Sequence, residues 1–265
     1  MLRGYVLTYL VFLYAPIVLL PIFAFNDSTV IAFPLTGFTT RWFEALPATP
    51  ELVRSVRTSL SIAVSASILA TLLGLCAARV NARYAFPGRA AVLGFVMLPL
   101  ILPEILVAVS LLVVLLTLGV QLNALTVVLG HTLICMPFAI AILNGAFGNL
   151  DPAIEEAAID LGCSRWQAFR MVTLPLIAPG IISSLLIGFT ISLDEFIIAF
   201  FLTGSDPTLP VYLWAQLRFP ARLPIVMALG TLLVALSVIL LCGAEWVRRR
   251  GMRRSGRRDA GGFFA

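Results

Sequence analysis

Long apolar runs separated by short polar punctuation dominate the chain. Residues 5–25, 58–78, 91–116, 122–143, 181–203 and 223–246 are apolar almost without interruption. Each is long enough to cross a bilayer, which takes about 20 helical residues. Lipid offers the backbone no hydrogen-bonding partner, so such runs must be helices. The pattern predicts an all-α membrane protein with six transmembrane helices over residues 1–247, followed by an arginine-rich tail over 248–265. The first run is read as a span rather than a cleavable signal peptide, because it is long and no small-x-small site follows it before Asn26-Asp27.

The connections differ in kind. Residues 26–57 form a long loop in which Thr39-Thr40 caps a short helix, Arg41-Trp42-Phe43-Glu44-Ala45-Leu46, ahead of Pro47 and Pro50. Residues 204–222 are punctuated by Pro207, Pro210 and Pro220, and Val211-Tyr212-Leu213-Trp214 reads as an amphipathic segment between them. Over 144–180, Asp151 followed by Pro152 is an N-cap with proline at the first helical position. Glu155 and Glu156 then fall where the helix dipole favours acids, and Gly162 stops the helix. Ser164-x-x-Gln167 opens a second helix as a capping box, and Pro175 and Pro179 close the region. The expectation is a rigid knob of two short helices joined at Gly162.

Composition agrees with the pattern and sharpens it. The 265 residues are 60% hydrophobic and only 12% charged, with mean hydropathy +1.04, which excludes a soluble globular enzyme. All 18 basic residues are arginine, so a nucleotide-binding P-loop, which needs lysine, is absent from this polypeptide. If ATP drives this protein, ATP and its magnesium sit on another subunit, and this chain holds no cofactor. Seven of the arginines lie in 248–258, so the pI near 9.4 implies no nucleic-acid face. With both termini inside, thirteen arginines flank the spans on the cytoplasmic side and five on the outer side, which orients the chain by the positive-inside rule. Cys76, Cys135, Cys163 and Cys242 show neither paired nor zinc spacing, and His131, alone in an apolar run, reads as a helix-packing histidine.

Glu156-Ala157-Ala158, three residues, Gly162, nine residues, then Val172-Thr173-Leu174-Pro175 resembles the EAA loop of ABC importer permeases, with Val172 in place of isoleucine. Asn26-Asp27-Ser28, Leu98-Pro99 with Leu102-Pro103-Glu104, and Ser192-Leu193-Asp194-Glu195-Phe196 extend the resemblance to the second permease of spermidine/putrescine importers. The resemblance implies a type I ABC importer permease fold in the bacterial inner membrane. It also implies a second homologous permease alongside, an ATPase dimer beneath and a solute-binding protein above. It implies a coupling helix on the ATPase, here carried by Glu155, Glu156, Ala157, Ala158, Gly162 and Ser164. Two alanines let a partner approach the helix backbone closely, and Glu156 offers it a carboxylate. Arg41, Trp42, Trp214 and Arg218, on the outer segments, are the residues expected to meet the binding protein.

Three acids lie well inside spans, Glu104, Asp194 and Glu195, a fourth, Glu245, sits at the cytoplasmic end of the sixth as an interface residue, and no arginine lies within a span. Buried charges of this kind cost at least about 2.5–3.5 kcal/mol each at a helix centre and mark substrate or ion pathways. Glu104 and Asp194 each lie thirteen residues into spans of the same direction, about 20 Å up, in one layer. Asp194 and Glu195 are about 100° apart on a continuous helix, so both cannot face one pathway squarely. The leading expectation is a non-catalytic permease for polyamines or related small cations. An importer of a zwitterionic amino compound or opine is the alternative within that class. An ion-coupled secondary transporter would use the same acids but has no need of the two-helix knob.

Overall fold

In the computed structural model the described residues are 2–254, and they are helical and irregular in structure with one isolated bridge, Asn26 to Phe38. In chain order the helices are α1 (Leu2–Ala24), α2 (Arg41–Ala45), α3 (Pro50–Arg83), α4 (Arg89–Ile101), α5 (Glu104–Thr117), α6 (Ala124–Gly148) and α7 (Pro152–Asp160). They continue with α8 (Arg165–Ala168), α9 (Leu174–Asp194), α10 (Ile197–Leu202), α11 (Leu209–Gln216) and α12 (Leu223–Arg254). The last part of the arginine tail, from Ser255, lies outside the described residues, as does the side chain of Cys242. The chain divides into two compact units, residues 51–212 and residues 1–50 with 213–265.

Four helices are long and apolar enough to cross a membrane, and α4 with α5 makes a fifth if that bent pair counts as one span. The sixth expected span, 223–246, lies within α12, a single helix of 32 residues. The expected span 91–116 bends, in line with the loosening that Pro99 and Pro103 imply just below Glu104. Its halves meet at 106° where Leu102 is extended (φ −77°, ψ 143°) ahead of Pro103, because proline disfavours helical backbone in the residue before it and donates no N–H.

The larger unit is built around α6. Its buried residues run on all sides from Thr126 to Phe147. Helix α3 turns a seam of small residues inward, including Ser59, Ala63, Ala66, Ser67, Ala70, Gly74 and Ala78. Such residues let membrane helices approach closely. A Cβ on Gly74 would sit 2.8 Å from Ala139 Cβ and 3.2 Å from the Ala139 and Ile140 backbone, so α3 and α6 meet nearly backbone to backbone there. One apolar cluster joins Ile62, Val107, Leu115, Val127, Ile134, Ile198 and Leu202; a second, at the other end, joins Ala78, Leu143, Phe147, Phe169 and Ile177.

The expected closure of the knob by Pro175 and Pro179 does not occur. From Arg165 to Asp194 the chain is one thirty-residue helical rod: α8, a π turn over Phe169–Thr173, then α9. The π turn closes with the Leu174 N–H donating to Phe169 O, and this wide turn just ahead of Pro175 accommodates its missing N–H. The rod then stops at Glu195, which is extended (φ −67°, ψ 120°), so the expected span 181–203 is broken before α10.

In the smaller unit α1 packs on α12, and an ordered turn follows α1. Asn26 is buried, its Oδ1 accepts from Thr36 N (3.0 Å), and Trp42 Nε1 donates to Asn26 O at 2.8 Å. Phe25 stacks on Phe38, ring centres 5.1 Å apart. Thr39 Oγ1 accepts from Arg41 N at 3.2 Å at the start of α2, whereas Thr40, at the N-cap position, makes no side-chain cap and donates instead to Glu44 Oε1 at 3.0 Å.

Candidate functional sites in a two-helix knob and a carboxylate pocket

The knob forms from strong local signals. Asp151 accepts from Ala153 N at 2.9 Å to start α7, and Gly162 reverses the chain at φ +94°, a backbone that side chains with a Cβ rarely adopt. Ser164 and Gln167 complete the capping box, with Ser164 N donating to Gln167 Oε1 (2.8 Å) and Gln167 N to Ser164 Oγ (3.3 Å). Glu156, Ala157, Gly162 and Ser164 are exposed, and Ala158 is half-buried. Around them Leu161 is 88% exposed and Trp166 67%, an apolar surface left uncovered among the described residues.

Glu155 departs from the expectation that it shares that face. It is buried, and its carboxylate accepts from Arg79 Nη2 (3.1 Å), Arg83 Nη2 (2.9 Å) and Thr173 Oγ1 (3.0 Å). The sequence signal for this was the Arg79/Arg83 pair, one turn apart at the end of α3.

The structure brings Glu104, Asp194 and Glu195 together. With Ile134, Thr190, Ile191, Phe196 and Ile197 they line a pocket of about 540 Å³. Glu104 opens α5 just after the 106° bend, Asp194 ends α9, and Glu195 occupies the break. That break corrects the expectation from a continuous helix, since an extended Glu195 lets neighbouring carboxylates reach one pocket. Glu195 Oε1 accepts from Ile198 N at 2.9 Å, which starts α10 in the manner of an N-cap. Its buried Oε2 has no partner among the described residues. No arginine lines the pocket, and the described residues hold no cluster suited to a metal ion. Three residues before Glu195, Ser192 Oγ lies 2.7 Å from His131 Nδ1, so the lone histidine packs α6 on α9.

On the remaining segments, Arg41 pairs with Asp27 (Nη1 to Oδ1, 2.9 Å) and lies over the Trp42 ring at 4.2 Å. Both charges are about half exposed. Trp214, on α11, and Arg218, just beyond it, are exposed.

A family described as binding-protein-dependent transport system inner membrane components matches residues 70–251. The spermidine/putrescine transport system permease protein of Shigella flexneri is 32% identical over 254 residues, covering 96% of this chain and 96% of that protein. The putrescine transport system permease protein of Escherichia coli K12 is 34% identical over 261 residues, covering 93% of this chain and 92% of the relative. Among solved structures, a bacterial ABC transporter that imports alginate superposes with a TM-score of 0.72 at 22% identity, covering 94% of both chains. That likeness concerns the fold.

Proposed function

The chain belongs to the family of binding-protein-dependent transport system inner membrane components, and from that premise we propose that it is a polyamine permease subunit of an ATP-driven importer. In this reading it pairs with a second homologous permease to form the pathway, an ATPase dimer binds beneath and carries ATP and magnesium, and a solute-binding protein delivers substrate from above. Both termini face the cytoplasm. Glu156, Ala157, Ala158, Gly162 and Ser164 meet the ATPase. Arg41, Trp42, Trp214 and Arg218 meet the binding protein.

The carboxylate pocket carries the substrate assignment. Three acids on apolar helices, with no arginine lining their pocket, leave a low-dielectric site short of positive charge. Carboxylates gathered in one apolar-walled pocket suit the ammonium groups of a polyamine. The relatives named for spermidine and putrescine support the same cargo class.

The test is uptake by the full assembly in proteoliposomes, with Glu104→Gln and Asp194→Asn compared against wild type. Each should reduce uptake of spermidine and putrescine more than uptake of a zwitterionic amino compound, at unchanged complex yield. Equal losses for both cargo types from fully assembled complexes would overturn the assignment.

A further inference from the structure

Glu155 is unusual for a residue on a small projecting helix: it is the most buried residue of α7, and its partners lie 76, 72 and 18 residues away along the chain. Both of its oxygens are used. Oε1 is held by Arg79, Oε2 by Arg83 and Thr173, and the Arg79 guanidinium carbon lies over the Phe169 ring, 3.9 Å from its centre. Thr173 and Phe169 are the two buried residues of the π turn, at the foot of the rod. One carboxylate therefore joins three elements: the knob helix α7, the end of α3, and the turn from which α9 rises.

The surroundings make this join hard to replace. The side chains of Glu155, Arg83 and Arg79 keep 11%, 18% and 24% of their exposure, so water screens them little. Arg79 Nη1 and Arg83 Nε are buried donors without a partner among the described residues, so acceptors are already scarce. The end of α3 is tied elsewhere too: Asn81 Nδ2 donates to Asn144 Oδ1 on α6 at 2.9 Å, and Arg89 Nε on α4 donates to Asn81 Oδ1 at 2.6 Å. Against this, Gly162 has nothing within 4 Å of where a Cβ would stand, so the turn beyond α7 is held by its own local hydrogen bonds and not by packing at Gly162.

We propose that Glu155, held by Arg79, Arg83 and Thr173, is a positioning residue that ties the knob helix to α3 and to the foot of the rod, so that displacement of the knob is passed into the spans. The tie rests on the reading that the knob engages the ATPase. It assigns the two neighbouring glutamates different work: Glu156 faces outward to the ATPase, and Glu155 faces inward to the transmembrane helices. Charge-assisted hydrogen bonds that are mutually shared on a single carboxylate hold direction as well as distance, which a loop connection does not.

The experiment uses the complete transporter in proteoliposomes and reads three quantities: ATPase subunits retained on purification, ATP hydrolysis with loaded binding protein, and spermidine taken up per ATP hydrolysed. Glu155→Gln should retain the ATPase subunits and keep hydrolysing, while uptake per ATP falls about tenfold, the size of an ordinary coupling between separated sites. Thr173→Val, which keeps the shape and deletes one hydrogen bond, should lower uptake per ATP about threefold. Glu155→Gln with Arg83→Gln restores the net charge of the cluster without restoring the tie, and should remain uncoupled. Recovery of uptake per ATP in that double variant would show charge balance, not the tie, to be what matters, and would overturn the proposal. Parallel loss of hydrolysis and uptake in Glu155→Gln and Thr173→Val, or normal coupling in both, would also overturn it. Glu156→Lys separates the underlying reading, since it should lose the ATPase subunits; if it keeps them and transports normally, the knob's engagement of the ATPase fails on its own.

Discussion

Deleting the Ser192 hydroxyl should cost more than deleting the whole polar pair to which it belongs. His131 and Ser192 are almost fully buried, and Ser192 Oγ, 2.7 Å from Nδ1, is the recorded partner of the ring. His131 Nε2 has none among the described residues. Ser192→Ala therefore strands both ring nitrogens in a helix interface, a cost of about 1–3 kcal/mol. His131→Leu is different. It is close to volume-conserving, and the remaining Ser192 hydroxyl can turn back to its own helix, as Ser183 and Thr190 do toward the carbonyls four residues earlier (2.9 Å each). Adding Ser192→Ala to His131→Leu should then cost little more. The cycle should therefore give a coupling energy close to the Ser192→Ala loss itself, about 1–2 kcal/mol, above the mean of about 0.6 and near the maximum of about 1.7 for hydrogen bonds inside membrane helix bundles. The assay is resistance of the purified protein to SDS-induced unfolding in mixed micelles, followed by tryptophan fluorescence, for wild type, both single variants and the double. Additive losses within about 0.4 kcal/mol, the usual scatter of independent sites, would refute the reasoning, as would Ser192→Ala indistinguishable from wild type.

Two further outcomes follow from packing and charge. Gly74→Ala places a methyl against the Ala139 and Ile140 backbone, which cannot turn aside, so the same assay should show a loss of about 1–3 kcal/mol; Gly94→Ala, with nothing within 4 Å, is the control, and equal stability of the two variants would refute the close approach of α3 and α6. Arg41→Glu breaks a half-exposed pair with Asp27 worth about 0–1 kcal/mol, so folding should survive while docking of the binding protein weakens, more at low than at high ionic strength; docking unchanged at every salt concentration would remove Arg41 from that surface.

What the sequence disclosed and what it hid divide along the range of the interactions. The Asp151 cap, the Ser164–Gln167 box and the stop at Gly162 are written within a few residues and were legible as such. The bend before Glu104 was announced by Leu102-Pro103, though not its 106° size. The break at Glu195 was hidden: Asp194-Glu195-Phe196-Ile197 contains neither proline nor glycine, and the residue that ends one helix is the one that caps the next. A thirty-residue helix across Pro175 was hidden for the opposite reason, since proline reads as a stop unless a wide turn precedes it. The inward turn of Glu155 depends on partners at positions 79 and 83, which no local pattern on α7 could reveal. Co-location of Glu104 and Asp194 in one pocket follows from depth arithmetic on two spans; the arrival of Glu195 beside them needed the break.

The uninterrupted helix from Arg165 to Asp194 has a mechanical consequence. Thirty residues at about 1.5 Å each make a stiff member about 45 Å long, with the capping box at one end and Asp194 at the other. A member of that length works as a lever. A tilt of about 5° around its middle carries each tip roughly 2 Å in opposite directions, given the same rise per residue. Two ångströms is enough to break a hydrogen bond, because one of about 2.9 Å is lost by 3.6 Å. Foot and head are thus two ends of one part, with the π turn near the foot and the break at the head marking where that part meets its neighbours.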